Sequence, residues 1–248
     1  MNHIKAIGFD LFNTLITVRP DALDVALTRL ADCLGRNGLA VDEESFRRDH
    51  RRAALKFIEE TRRDGRETHN RFWISAALKE QGYEVAPDDQ RIAAAVNAYF
   101  SAFFDFSVLI PETEEMLSTL QESYPLGLLS NFTHAPAART ILDQLDLNRF
   151  FDVILISGEI GYRKPHPLVF ERLSAELGFS PDEIAYVGDD PEPDVEGALR
   201  SGLQPIWTTY VRDRKIPFAP GVASEQAASI DRDVPRVSSW QELLSLFV

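Results

Sequence analysis

The stretch Ile4 to Leu15, IKAIGFDLFNTL, constrains this chain more than any other. A β-branched and apolar run, Ile4-Lys5-Ala6-Ile7-Gly8-Phe9, stops abruptly at a carboxylate, Asp10. Such a run reads as a buried parallel strand. Open α/β sheets bind their ligands in the crevice beyond the carboxyl ends of the strands. Asp10 is therefore predicted at that crevice, with Leu11, Phe12, Asn13 and Thr14 forming a turn whose backbone groups face a ligand. An aspartate that merely caps the strand end is the plainer alternative.

If Asp10 marks a sheet edge, the rest of the chain must supply further parallel strands, and it does. From residue 108 onward short apolar runs alternate with helical stretches, the signature of βαβ units. Strands are predicted at Leu126 to Leu129, Val153 to Ile156, Ile184 to Val187 and Pro205 to Thr208, which with Ile4 to Phe9 makes five. Helices are predicted over 112–123, 135–145, 167–177 and 193–201. Arg212 to Val237 reads as loop and Trp240 to Phe247 as a closing helix. Right-handed crossovers bring the polar ends of these strands to one edge, so Ser130-Asn131, Ser157-Gly158 and Gly188-Asp189-Asp190 fall beside Asp10.

The segment from about residue 17 to 106 has a different texture and reads as almost entirely helical. Asp21 caps a helix through about Arg36, and Asp42 opens a second through about Arg63. Phe72, Trp73, Ala76, Ala77 and Leu78 give a third stripe, and Pro87-Asp88-Asp89 starts a fourth, whose Ile92, Val96, Tyr99, Phe100 and Phe103 form a dense apolar face. It looks like an insert after the first strand.

Composition narrows the chemistry. The 248 residues carry a formal net charge of −13, which repels nucleic acid and anionic membranes at long range, so any phosphate site must be local. One cysteine, Cys33, cannot form an intrachain disulfide and is expected as a small buried hydrophobe, with cytoplasm the default location. No apolar run approaches the ~18 residues of a membrane span, and the start lacks the pattern of a signal peptide.

The polar clusters then read as chemistry. Asp10, Asp189, Asp190 and Asp194 bring carboxylates to one end of one sheet, which is unfavourable unless a cation is bound or a proton shared. Mg²⁺ takes oxygen ligands and keeps several waters, so two carboxylates and one backbone carbonyl, that of Phe12, suffice. Ser130 and Lys164 supply a hydroxyl donor and a positive charge, the pieces that hold and neutralise a phosphoryl group. Taken singly, Ser130-Asn131 also reads as a helix cap, Lys164 as a solvated loop lysine and the Asp-rich turn as a capping cluster.

These motifs, in this order, resemble the haloacid dehalogenase (HAD) superfamily of hydrolases, subfamily I with a helical cap after the first motif. The first motif is FDLFNTL, with Asp10 in the place of the nucleophile. LLSN with Ser130 matches the second, YRKPHP with Lys164 the third, and YVGDDPEPDVEGALRSGL with Asp189 and Asp194 the fourth. The resemblance implies an α/β fold, a Rossmann-like parallel core at 1–15 and 107–248 with a helical cap domain at 16–106. It implies Asp10, Ser130 and Lys164 as catalytic groups, Asn13, Thr14 and Asn131 as substrate-binding groups, and Mg²⁺ held by Asp10, Phe12 and Asp189. The reaction implied is hydrolysis of a small phosphorylated metabolite through an aspartyl phosphate; the oligomeric state is left open. Arg19, Arg62, Arg66, His69, Arg71 and Trp73 are candidates for the cap lining, with a solvated helix face the alternative for most.

One position departs from the phosphatase pattern. Metal-dependent phosphatases of this family carry a second Asp two residues after the nucleophile as general acid and base, and here that residue is Phe12. The loss is worth roughly 10²–10⁴-fold in rate for an alkoxide leaving group, and less for an acyl or aryl phosphate. The metal-independent 2-haloacid dehalogenases of the family carry an aromatic residue there, which suits Phe12, but they resemble Ser-Asn where this chain has Gly188-Asp189-Asp190. Phosphonate hydrolases use a cap lysine, for which only Lys56 and Lys79 are available. A non-catalytic binding domain is the reading from another class.

Overall fold

The structure, a computed structural model, describes residues 1, 3–218 and 233–247. The first run forms β1 (Ala6–Phe9), followed by a short strand β2 (Ile16–Val18) and four helices, α1 (Ala22–Arg36), α2 (Glu43–Asp64), α3 (Arg71–Glu80) and α4 (Gln90–Phe106). The chain then returns through β3 (Ser107–Leu109), which pairs antiparallel with β2. Beyond it come α5 (Thr113–Gln121), β4 (Leu126–Ser130), α6 (Ala135–Gln144), β5 (Val153–Ile156), α7 (Ser157–Ile160), α8 (Pro167–Leu177) and β6 (Ile184–Gly188). A π-helical turn (Pro191–Glu196) leads into α9 (Gly197–Arg200), β7 (Gln204–Thr208), α10 (Tyr210–Asp213), β8 (Arg236–Val237) and α11 (Trp240–Leu244).

The main sheet has the order β5-β4-β1-β6-β7-β8, every pairing parallel. The strand that carries Asp10 is thus central, flanked by the strands that carry Ser130 and Asp189. Alternation along the strands splits the core between two faces. Ile7, Phe9, Leu128 and Val187 join one apolar cluster, with Leu117, Ile141 and Leu243 of α5, α6 and α11. Ala6, Leu129 and Tyr186 join another, with Val169, Phe170 and Leu173 of α8. Helices on both faces of a parallel sheet make the α/β Rossmann-like fold that the sequence pattern implies.

The structure corrects several details. The main sheet has six strands, because Arg236–Val237 adds a short edge strand within the stretch expected to be loop; residues 219–232 of that stretch lie outside the described residues. The helix expected over 193–201 is a π-helical turn continued by one short α-turn. Asp21 makes no side-chain cap bond, whereas Asp42 accepts from the Ser45 backbone and Asp89 from that of Arg91. The β2–β3 ribbon closes the helical segment at its base. Its strands are three residues each, too short for an alternation pattern to register in sequence.

The four helices bury their stripes chiefly against one another, α1 with α4 through Leu27, Leu30 and Leu34 against Val96, Tyr99 and Phe103. The link between α2 and α3 turns back to the sheet. Arg163 donates its backbone N–H to Gly65 at 2.9 Å and Glu67 donates to Gly161 at 3.0 Å, which ties residues 65–67 to the loop immediately before Lys164. No described helix is long and apolar enough to cross a membrane.

Candidate active site

Three strand ends and one loop converge. Asp10 leaves β1 with its backbone N–H donated to Val187 (2.9 Å), and Asn13 turns the chain in the left-handed region at φ 59°. Asparagine tolerates that conformation better than most residues, which explains its place in the turn. Lys164 projects from the loop before α8 and is almost fully buried. Its ammonium donates to Asp10 Oδ1 at 2.6 Å, Asp194 Oδ1 at 2.7 Å and the Tyr186 hydroxyl at 2.8 Å, so all three of its donors are placed. Tyr186 in turn donates to the Leu129 carbonyl at 2.9 Å.

Two glycines make room for this arrangement. A Cβ on Gly8 would meet the Tyr186 ring at 2.8 Å, so the bare backbone of β1 lets that ring lie alongside it. A Cβ on Gly188 would collide with the Asp194 carboxylate, which folds back over the end of β6. From there Asp194 Oδ2 accepts the Asp190 backbone N–H at 2.9 Å while Oδ1 holds Lys164. Both Asp194 oxygens are therefore committed within the protein.

Asp189 is the opposite case. It is buried, and neither carboxylate oxygen has a hydrogen-bond partner among the described residues. Oxygens of Asp10, Asp189 and Asp194 all lie within 4.8 Å of one another. Three carboxylates facing one ammonium leave a buried excess of negative charge, and the electrostatics show it. Burial pushes Asp10 up to about 6, with Lys164 opposing and Asp194 adding to the rise. Burial, then Asp194, Asp10 and Asp190, hold Asp189 well above the ordinary carboxylate range. Asp190 is raised to about 6 by burial and by Asp194. Burial disfavours the charge on Lys164, but Asp10 and Asp194 outweigh it and hold the ammonium well above its usual value. A hard divalent cation beside Asp10 and Asp189 would relieve all of this and give the orphaned oxygens a partner.

Ser130 ends β4 on the other side of Asp10, fully buried, its hydroxyl also without a partner among the described residues. Thr14 donates to Asp10 Oδ2 at 3.3 Å, and Asn13 is completely buried in the turn. Asn131, expected among the groups that touch substrate, is hydrogen-bonded to the loop that carries Lys164. Its amide donates to the Lys164 carbonyl at 3.0 Å and accepts from the Lys164 N–H at 2.8 Å, so both ends of the side chain grip the lysine's backbone. Tyr186 has no place in the sequence reading, although a tyrosine inside an otherwise aliphatic strand needs a partner for its hydroxyl and so signals a polar neighbour.

The Phe12 ring leaves the carboxylates and enters an aromatic wall. It stacks on Phe132 at 5.1 Å and 6°, and Phe132 meets Phe100 of α4 at 5.2 Å. That wall borders a cavity of about 670 Å³ between the sheet edge and helices α1, α2 and α4. Of the residues expected to line the helical segment, only Trp73 does so. Arg19 lies over the Phe106 ring, Arg62 pairs with Glu59, Arg66 with Asp64, and Arg71 lies over Phe72. His69 shares a 3.0 Å hydrogen bond with His134. Neither Lys56 nor Lys79 reaches the cavity lining.

Comparison with known proteins agrees with this geometry. Residues 4–202 match the family profile of haloacid dehalogenase-like hydrolases. The chain is 28% identical to the glyceraldehyde 3-phosphate phosphatase of Pyrococcus furiosus, covering 85% of this chain and 82% of that protein. It is 30% identical to the ribulose-1,5-bisphosphate 5-phosphatase of Halopiger xanaduensis, covering 92% and 90% respectively. In structure it is similar to a 2-haloacid dehalogenase from Pseudomonas syringae, with a TM-score of 0.71, 21% identity and coverage of 98% and 97%, a likeness of fold.

Proposed function

The chain belongs to the haloacid dehalogenase-like hydrolases, and from that premise we propose that it is a Mg²⁺-dependent phosphoric monoester hydrolase working through an aspartyl phosphate on Asp10. The observation that carries the reading is the unpartnered, buried carboxylate of Asp189 beside Asp10, with Lys164 fixed between Asp10 and Asp194. A metal-free dehalogenase site has no use for a buried acid that repels a carboxylate substrate. The relatives named as phosphatases agree with the preference.

In this reading Asp10 Oδ2 attacks phosphorus in line, and the P–O bond to the leaving group breaks with its electron pair going to the departing oxygen. Lys164 neutralises charge on the equatorial oxygens, and the Ser130 hydroxyl donates to one of them. Asn13 and Thr14 hold the turn that presents the nucleophile. Asp10, Asp189 and the Phe12 carbonyl would hold Mg²⁺, which supplies further positive charge to the phosphoryl group. Water then attacks phosphorus of the acyl phosphate, releasing inorganic phosphate and regenerating the Asp10 carboxylate. Asn131 and Asp194 act through Lys164 as positioning residues. Residues 16–106 serve as a cap over the core formed by 1–15 and 107–248, excluding bulk water while the intermediate exists. A cytoplasmic location fits the single buried thiol, Cys33.

The test is a panel of phosphate esters, acyl phosphates and 2-haloacids, assayed for phosphate and halide with Mg²⁺ and with EDTA. Phosphate release that needs Mg²⁺ and disappears in Asp10→Asn is expected. Halide release that persists in EDTA and disappears in Asp10→Asn would overturn the reading.

A further inference from the structure

Phe12 belongs to two places at once. Its backbone sits in the nucleophile's turn, while its ring forms part of the wall of the 670 Å³ cavity. Asp10, Ser130 and Lys164 do not line the cavity themselves, but their chain neighbours do: Phe12, two residues past Asp10, Asn131, next after Ser130, and Arg163, just before Lys164. From there it is walled by aromatic rings, Trp73, Tyr99, Phe100, Phe103 and Phe132 among them. His50 of α2 also lines it, and burial holds its imidazole down at about 4, so it adds no charge at neutral pH. Of the charged lining residues Asp24, Arg48 and Arg51 are exposed, whereas Arg47 is half-buried, as is Arg163, which pairs with Glu67; Leu55 and Ile58 complete the α2 side. A polyhydroxy leaving group entering this space would give up water for a wall that is mostly aromatic, where His50 Nε2, Trp73 Nε1, Thr133 and Arg163 are the polar groups set among the rings. A flat apolar one would gain from every ring.

The catalytic turn points the same way by an independent route. An alkoxide leaving group must be protonated as the P–O bond breaks, and Phe12 has no proton to give. An aryl oxide carries the bond's electron pair away as a stable anion and takes its proton from water afterwards. Resting on the phosphatase reading above, we propose that the substrate is an aryl phosphate monoester whose ring occupies this cavity. Phe12 is then the specificity-determining residue, walling the seat for the ring while withholding the acid that alkyl esters need.

Four probes separate the two halves of the argument: 1-naphthyl phosphate, phenyl phosphate, acetyl phosphate and glycerol 1-phosphate. Acetyl phosphate has a good leaving group and no ring. The expected kcat/KM for 1-naphthyl phosphate exceeds that for glycerol 1-phosphate by at least about a hundredfold, the low end of what a missing general acid takes from an alkyl ester. Leu55→Asp and Ile58→Asp place a carboxylate on the α2 side of the cavity without emptying the core, and should lower the 1-naphthyl to acetyl ratio about tenfold, through KM. Binding is read separately by calorimetry on Asp10→Asn with Mg²⁺ present, where 1-naphthyl phosphate should bind at least tenfold more tightly than glycerol 1-phosphate. Equal affinities there, or a ratio that neither α2 variant moves, overturn the proposal even if glycerol 1-phosphate is hydrolysed and the phosphatase reading stands. Retained preference in binding with no phosphate released from any ester supports the cavity assignment and defeats the hydrolytic reading instead.

Discussion

Replacing Phe12 with aspartate should restore a proton donor at a measurable cost. The ring is 4% exposed and stacked on Phe132, so its removal resembles deletion of a core phenylalanine, worth about 3–5 kcal/mol. Set against the roughly 5–15 kcal/mol that stabilises an ordinary domain, the variant should still fold at 25 °C. For a chain of this length its melting temperature should drop by about 6–20 °C. The new carboxyl would sit among aromatic rings, where burial raises its pKa and keeps it protonated near neutrality, the form a general acid requires. A positioned acid is worth ~10²–10⁴-fold, and one lacking supporting hydrogen bonds should deliver less, so we expect a gain of about ten- to a hundredfold in kcat on glycerol 1-phosphate. On 1-naphthyl phosphate kcat should scarcely rise, while KM increases because a wall of the cavity has gone. Steady-state phosphate release, with a melting curve beside it, reads both effects. A folded Phe12→Asp protein that binds Mg²⁺ but shows no rise on any alkyl phosphate would refute the placement of the metal turn.

Calorimetry with Mg²⁺ should show binding to the wild type and a loss of at least tenfold in Asp189→Asn; negligible binding to both would remove the metal from the account. Saturating the wild type at a hundred times the dissociation constant should stabilise it by about 2.7 kcal/mol in a melting experiment. Asn131→Ala should lower kcat about tenfold with little change in KM, because its amide grips Lys164 and not the substrate; a rise in KM alone would return Asn131 to the substrate-binding groups. His50 contributes to acid sensitivity. Burial lowers its pKa to about 4, so below its ordinary 6.5 the unfolded chain binds the proton more readily, and stability falls from about pH 6.5 down to 4. The drop amounts to roughly 3 kcal/mol, and urea titrations should show it largely absent in His50→Phe; an unchanged pH dependence would contradict the burial assigned to His50.

Most of the sheet edge was legible because strand-end position is encoded by where an apolar run stops. Asp10, Ser130 and Asp189 each follow such a stop, and parallel topology does the rest. Lys164 was legible only through its motif, since a loop lysine before proline carries no sign that it will be buried. What escaped the sequence depends on three-dimensional contact. That Asn131 serves the Lys164 backbone follows from two loops 33 residues apart meeting edge to edge. Tyr186 reaches the site only because Gly8 leaves the neighbouring strand bare. The β2–β3 ribbon and β8 are too short for any periodicity. Phe12 was legible as a missing acid, but its ring's place in a wall shared with Phe132 and α4 required the fold.

The central claim is that Asp10 carries a phosphoryl group during turnover. Rapid acid quench of the protein with 1-naphthyl phosphate and Mg²⁺, followed by mass analysis of the peptide that contains Asp10, tests it directly. Phosphorylation of Asp10 is predicted, building up in a burst that approaches one equivalent because no carboxylate at position 12 activates the hydrolytic water. Turnover in ¹⁸O-labelled water should then place the label in inorganic phosphate. Label appearing in the Asp10 carboxylate instead, or naphthol released without any phosphorylated peptide, would contradict the account.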